Sequence, residues 1–358
     1  MNVLFLPENI ASMPAITMEA MNKIEGVHAK ALTKNINKYQ SVSENVIHIQ
    51  PPSISRRKPI KWLVHKYKYR KLIRKWIDWA DVLQYTWGPV FDNGSDLKYA
   101  HKKGKLIFVE WVGSDIRKPK FLSTINKFFN HAWQNGYEYK EYESEERSIK
   151  MQTLFAHYNA IPVAFPEMSL YLEKKIFKKT IPLFYRINVF DFVPDYPSVE
   201  KQRPLIIHSP TALVAKGSNI IFEVIKELQA KYSFDFKLLN DLPRNEVLEI
   251  MAGADIFIDQ IIVGSYGTAA MEAMSLGKPV MCYIMPETFE AGMPKECPIV
   301  NSSPDNLKEQ LIKLITDSKL RYEIGIKSRQ FAEKYHNVDK VALEMIEIYK
   351  NTFTSKGN

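Results

Sequence analysis

The stretch Asp255-Ile-Phe-Ile-Asp-Gln-Ile-Ile-Val-Gly-Ser-Tyr-Gly-Thr-Ala-Ala-Met-Glu-Ala-Met-Ser-Leu-Gly-Lys-Pro-Val280 decides how this chain is read. It opens as a buried strand and runs into Gly264-Ser265-Tyr266-Gly267, where glycines let backbone approach a ligand closely. A helix pattern follows. Its first amides, near Gly267 and Thr268, can hold a diphosphate. Glu272 lies four residues beyond Thr268, so both share one helix face. A carboxylate there can accept from both hydroxyls of a ribose attached to that diphosphate. Ala273, Met274 and Leu276 fall on the core side of the same periodicity.

Upstream, Leu205-Ile-Ile-His-Ser-Pro-Thr-Ala-Leu-Val-Ala-Lys-Gly-Ser-Asn219 reads as a strand ending at His208, a loop, and a helix capped by Ser218. That puts Lys216 and Gly217 at a strand's carboxyl end, just before helix amides, where an ammonium can meet phosphate. A solvated loop lysine is the plainer alternative. Further strands are expected at Val3–Leu6, Val46–Ile49, Asp81–Thr86, Lys105–Glu110, Tyr158–Ala164, Ile181–Tyr185, Pro204–His208, Asp235–Leu239, Asp255–Asp259 and Pro279–Ile284. Helices are expected at Asn219–Lys231, Arg244–Ala252, Gly267–Leu276 and Pro304–Thr316, the last with Ser303 as N-cap and Pro304 at its first position. This alternation means α/β with mostly parallel sheets. Prolines at 194, 197 and 204 mark a linker, so the expected organisation is a first domain over 1–195, a second over 196–340, and a C-terminal helix over 341–358 that packs back on the first.

Composition fits that picture. The chain has 358 residues, 46% hydrophobic and 25% charged, which excludes wholesale disorder and collagen-like repeats. Its formal net charge of +9 suggests an anionic partner. Cys282 and Cys297 are unclustered, which fits a reducing cytosol better than a disulfide scaffold. The apolar runs are far too short to span a membrane. The start, Met1-Asn-Val-Leu-Phe-Leu-Pro-Glu8, reads as a strand rather than a signal peptide, so a cytoplasmic protein is expected. There is no G-x-G-x-x-G, no P-loop, no H-E-x-x-H and no G-x-S-x-G. The eight histidines are scattered, so neither a metal site nor a cofactor is expected.

Lys216-Gly217, together with Glu272-Ala-Met-Ser-Leu-Gly-Lys-Pro-Val280, resembles the nucleotide-sugar domain of GT-B glycosyltransferases, in particular the large retaining family of group 1. The resemblance extends over essentially the whole chain. It implies two Rossmann-like doubly wound domains facing a cleft, with the nucleotide-sugar as substrate rather than cofactor. It implies a donor site at Lys216, Gly217, Gly264, Ser265, Tyr266, Gly267, Thr268 and Glu272. The family pairs a first Glu with seven residues and a second Glu; here the first position is Gly264. Either backbone amides around Gly264–Gly267 replace that carboxylate, or the donor sugar is unusual or transfer weakened.

In the first domain, Phe108-Val-Glu-Trp-Val-Gly-Ser-Asp-Ile-Arg117 ends in a turn that the resemblance sets at the cleft. Asp115 is the candidate catalytic acid there, or else a helix N-cap. Ser114 and Arg117 stand beside it. Glu8 and Asn9, after the first strand, are further cleft candidates, as is Trp87, which can stack on a sugar or serve the core.

Ser55–Trp76 carries ten basic residues and no acid: Arg56, Arg57, Lys58, Lys61, Lys66, Lys68, Arg70, Lys71, Arg74 and Lys75. Ile60, Leu63, Val64 and Tyr67 recur at helical spacing among them. This reads as a basic amphipathic helix suited to an anionic membrane surface, at the inner face of the plasma membrane. A solvated helix with one face in the core is the alternative; nucleic acid is not expected, because no recognition module accompanies the patch. The sequence thus points to transfer of a sugar from a UDP- or GDP-sugar to a hydroxyl of a glycan or lipid-linked acceptor in envelope polysaccharide assembly, retaining and metal-independent. The competing readings are a sugar-nucleotide epimerase or hydrolase of the same fold, and a non-catalytic membrane-docked scaffold.

Overall fold

The computed structural model describes residues 1–34, 45–53 and 59–357. Among them the strands form two sheets, parallel throughout. The first, in spatial order β3-β2-β1-β4-β5-β6-β7, comprises β1 (Asn2–Pro7), β2 (His28–Thr33), β3 (Val46–His48), β4 (Val82–Thr86), β5 (Leu106–Trp111), β6 (Ile161–Ala164) and β7 (Ile181–Pro182). The second, in order β12-β11-β10-β8-β9, comprises β8 (Leu205–His208), β9 (Asp235–Leu238), β10 (Ile256–Ile258), β11 (Val280–Cys282) and β12 (Val300–Asn301). Strands β4, β5 and β10 are buried along their whole length. That is why they read as continuous apolar runs rather than alternating ones.

The strand order reverses between β1 and β4 in the first sheet and between β8 and β10 in the second. In open parallel sheets such reversals open a crevice at the carboxyl ends of the strands, where ligands collect. The crossing between domains is tied down by buried cations. Arg329 Nη1 donates to the carbonyls of Val189, Phe192 and Ser275 at 3.1, 2.7 and 2.6 Å. The Lys278 ammonium donates to the Asp195 carbonyl. Within the first domain, Arg186, fully buried, forks onto Glu110 with two bonds of 2.5 and 2.8 Å. The C-terminal helix Val338–Gly357 returns to the first sheet and packs on helix α1 (Met13–Met21), burying Val341, Met345, Ile346 and Tyr349. The Tyr349 hydroxyl donates to Gln84 Oε1 at 2.8 Å.

Several local expectations need correction. Strand β2 is absent from the sequence-based expectation, because His-Ala-Lys-Ala-Leu-Thr holds only Thr33 of the β-branched and aromatic residues that announce strands. Tyr158–Ala164 shortens to Ile161–Ala164, since Asn159 turns at φ +56°. Ser218 does not cap its helix. Gly217, at φ +76°, occupies the N-cap, and the Ser218 hydroxyl donates to His208 Nε2 at 2.8 Å. The helix expected from Pro304 starts at Leu307, after a turn in which Asn306 Oδ1 accepts from the Ser303 amide at 2.7 Å.

Candidate donor site between the domains

A cavity of about 890 Å³ lies where the two reversal points meet. Ala11 and Ser12, after β1, line its first-domain side. Lys216, Arg244, Thr268 and Glu272 line its second-domain side. The linker residues Asn188, Asp191 and Phe192 close one flank.

Lys216 does not sit on a plain loop. It ends a four-residue helix, Leu213–Lys216, that sets its ammonium 2.5 Å from Asp259 Oδ1. Asp259 follows β10 and is almost fully buried. Burial alone would lower the lysine pKa, but the Asp259 carboxylate outweighs it, and the value is raised. The second Asp259 oxygen accepts from the Gly267 amide at 3.3 Å. One carboxylate therefore holds the lysine and the head of the helix Thr268–Ser275 together. A first-domain residue assists: the Glu138 carboxylate accepts the amides of Val214 and Ala215 at 2.7 and 2.9 Å, satisfying the exposed start of the short helix. His208 is held neutral beneath. Its Nδ1–H donates to the Ile258 carbonyl at 2.8 Å, and burial takes its pKa down to about 4.

Glu272 projects from the second turn of the helix Thr268–Ser275. Arg244 Nε and Nη2 both donate to its Oε1, at 3.1 and 2.5 Å, which leaves Oε2 for a ligand. Burial pushes the Glu272 pKa up, and Arg244 opposes that shift.

Other sequence candidates fall elsewhere. Gly264 adopts φ +99°, and a Cβ there would lie 2.3 Å from Cγ of the buried Met285. Ser265 and Tyr266 are buried; the Tyr266 hydroxyl bonds His336 Nε2 at 3.0 Å. These three residues pack beneath the helix rather than line the cavity. The Gly267 amide is already engaged by Asp259, so it is not free for phosphate. Gly217 provides a left-handed turn against Ile261.

In the first domain, Asn9 Oδ1 accepts from the Ala15 amide at 3.1 Å and steadies the start of α1, and Glu8 stands outside the cavity. Trp87 is half-buried at φ +78° and does not reach the cavity either. Asp115 folds onto its own turn, accepting the Val112 and Gly113 amides at 3.2 and 2.7 Å, and burial pushes its pKa up to about 7. Ser114 belongs to the same turn. Arg117 donates to Glu143 at 2.6 Å and lies 3.5 Å from Glu167, in a buried ionic cluster. The resemblance led to the cleft for these groups; short-range backbone and ionic partners claim them instead.

Arg244, Asp259 and Glu138 escaped the sequence analysis. Asp259 had a signal, as an acid ending an otherwise apolar strand. Arg244 and Glu138 act across elements and carry none.

Two facing Rossmann-like domains with a cavity at both reversal points make the GT-B architecture, and residues 183–331 match the family described as glycosyl transferases group 1. The chain as a whole thus has the GT-B fold, and the match to glycosyl transferases group 1 lies in its second half. Sucrose-phosphate synthase from Thermosynechococcus elongatus superposes with a TM-score of 0.65 at 14% identity, covering 99% of each chain. WaaG, a glycosyltransferase involved in lipopolysaccharide biosynthesis, gives 0.55 at 14% identity over 96% of this chain and 98% of its own. Anabaena HepE in complex with UDP-glucose gives 0.57 at 14% identity over 98% and 100%. No curated protein sequence matches the chain.

Two predictions follow from this geometry. Gly264→Ala is expected to cost about 2–4 kcal/mol in urea denaturation, from strain at positive φ and overpacking against Met285. Gly264→Glu, which writes the family's first carboxylate back, should cost more; wild-type stability in that variant would mean the turn has room. For Asp115, a folded-state pKa of about 7 means the folded chain holds this proton more tightly than the unfolded chain. Its stabilising contribution is therefore full below the ordinary carboxylate range and lost as pH rises through that value. Asp115→Asn keeps an oxygen for the two amides, so its melting temperature relative to the parent should rise from about pH 5 to about pH 8. An unchanged difference would contradict a buried Asp115 that retains its proton.

Proposed function

We propose that this chain is a glycosyltransferase that takes a nucleotide-sugar donor, UDP- or GDP-linked, and transfers the sugar to a hydroxyl of a glycan or lipid-linked acceptor in envelope polysaccharide synthesis. The observation that carries the donor reading is the shared cavity wall of Lys216, Thr268 and Glu272. Lys216 and the start of the helix Thr268–Ser275 receive the diphosphate, and Glu272 Oε2 accepts from the ribose. HepE forms a complex with UDP-glucose and WaaG is involved in lipopolysaccharide biosynthesis, which supports the donor class and the pathway.

In the proposed reaction the bond from the anomeric carbon to the diphosphate oxygen breaks. The acceptor oxygen bonds to that carbon from the same face, and its proton passes to the departing phosphate. The configuration is thereby retained. Negative charge grows on the leaving diphosphate, where Lys216 and the helix amides stabilise the transition state more than the ground state. Lys216 and the helix amides supply the compensating positive charge, so the reaction proposed is metal-independent. Asp115 has no part in it, since the turn of residues 112–115 consumes its carboxylate.

Glu272→Ala and Lys216→Ala are each expected to weaken nucleotide binding by about tenfold to a hundredfold, the worth of a charge-assisted contact. Calorimetry against UDP, GDP, ADP and CMP reads this and identifies the base. Because burial raises the Glu272 pKa, affinity should begin to fall on acidification above the ordinary glutamate range. Undiminished affinity in both variants removes the site assignment.

Peripheral membrane association is part of the same proposal. Helix α2 (Pro59–Trp79) buries Tyr69, Ile73 and Ile77, while Ile60 and Tyr67 are 76% and 68% exposed and Leu63 and Val64 lie open beside them. Lys61, Lys68, Lys71, Arg74 and Lys75 are exposed around that apolar strip. Arg56, Arg57 and Lys58 lie outside the described residues. An apolar strip rimmed by cations suits an anionic lipid surface, each nearby cation adding about 1 kcal/mol. No helix among the described residues is long and apolar enough to cross a membrane. Flotation with anionic vesicles should recover the protein at low salt and lose it at high salt; Leu63→Ser with Tyr67→Ser should abolish recovery. Equal flotation with neutral lipid counts against the proposal.

A further inference from the structure

The first domain holds a second cavity, of about 530 Å³, that the donor reading leaves unused. It opens at the carboxyl ends of β2, β3 and β4. Lys34 follows β2, Pro51 and Pro52 come after β3, and Val90–Asn93 come after β4; helix α2 supplies the remaining wall. The cavity adjoins the donor side through backbone. The Lys34 amide donates to the Pro7 carbonyl at 2.9 Å, and Pro7 ends the strand whose next loop carries Ala11 and Ser12 into the larger cavity.

Three cations, three aromatic rings and one carboxylate line it: Lys34, Lys66 and Arg70 with Trp62, Tyr69 and Phe91, and Asp92, so the cations outnumber the acid three to one. Residues 62, 66, 69 and 70 share one side of α2, roughly a third of a turn from the exposed strip of Ile60, Leu63, Val64 and Tyr67. The Lys66 ammonium stands 4.6 Å from the Trp62 ring centre, and the Arg70 guanidinium 5.8 Å from that of Phe91. Lys34 donates to the Pro89 carbonyl at 3.1 Å and keeps further protons. Among the described residues none of the three cations takes part in an ion pair. Tyr69 is only 5% exposed, yet among the described residues its hydroxyl finds no hydrogen-bond partner. Leaving such a group unsatisfied is costly, and a ligand that bonds it recovers that cost. Burial, with Asp96 and Glu8 nearby, pushes the Tyr69 pKa up to about 12, so the hydroxyl stays a neutral donor.

We propose that this cavity binds an anionic saccharide, a sugar ring bearing a carboxylate or phosphate, as the acceptor of the transfer. The rings offer apolar faces to the sugar's C–H groups, and Arg70 with the two lysines offers the geometry and charge that carboxylate and phosphate take. The Tyr69 hydroxyl completes the set. The role as acceptor rests on the transfer reaction proposed above; the binding does not.

The test uses the full chain and tryptophan fluorescence with calorimetry. The probes are a glucuronic acid-containing tetrasaccharide, glucose 1-phosphate, a neutral glucose tetrasaccharide and phosphatidylglycerol vesicles, with UDP titrated in parallel. Both anionic sugars should bind, more weakly as salt rises, and the neutral tetrasaccharide at least about tenfold more weakly than the charged one. Lys66→Ala with Arg70→Ala should cost the anionic sugars about tenfold or more and leave UDP unaffected. Tyr69→Phe, which keeps the ring, should weaken them severalfold in a protein of unchanged circular dichroism. Failure of both anionic sugars, equal binding of the neutral one, or binding of vesicles alone overturns the proposal. UDP binding without sugar binding sinks only this inference; sugar binding without any nucleotide binding sinks the donor reading and leaves the cavity's assignment standing.

Discussion

Asp259 is the group on which the second domain's site depends. It follows β10 at the reversal of the sheet, buried, with one oxygen on the Lys216 ammonium at 2.5 Å and the other on the Gly267 amide at 3.3 Å. A carboxylate in that position is tolerable only because both oxygens are partnered. In satisfying itself it fixes the distance between a lysine from one loop and a helix start from another. Neither loop alone would hold that spacing. The pair also settles a question of charge: Lys216 stays protonated in spite of its burial, which an anion-binding group requires.

The same economy joins the two domains. Glu138 reaches from the first domain to cap the short helix that carries Lys216. Asn126 bridges similarly, its amide donating to the Ile262 carbonyl at 2.8 Å while its oxygen takes the Phe128 and Phe129 amides. Both contacts use side chains to complete backbone groups that would otherwise be left open where two domains meet. The site is therefore a property of the two domains together, even though its charged residues lie in one.

Where the chain departs from the pattern of the group 1 glycosyltransferases that it resembles, packing explains the departure. Gly264 stands at the position of a carboxylate, and the backbone there is left-handed and pressed against Met285. The turn serves the core, and the amides that the sequence suggested as a substitute are themselves partly spent. Helix α2 shows the converse. Its apolar residues divide between two surfaces: Tyr69, Ile73 and Ile77 enter the core, while Ile60, Leu63, Val64 and Tyr67 do not. A single helical period in the sequence covered both.

The sequence by itself determined the alternation of strands and helices, the two-part organisation, and the positions of Lys216 and Glu272, because these rest on local periodicity and on motifs contiguous in the chain. It missed β2, whose alanines gain strand character only from neighbours on both sides. It led to Asp115, Arg117 and Tyr266 as cleft residues, since a motif says where a residue stands along the chain and not which way its side chain turns. Only the tertiary structure decided that, and only it brought Arg244 to Glu272 and Glu138 to the Lys216 helix. Those contacts span dozens of residues, and the energy that selects them comes from satisfying buried charges and backbone groups, which no local pattern records.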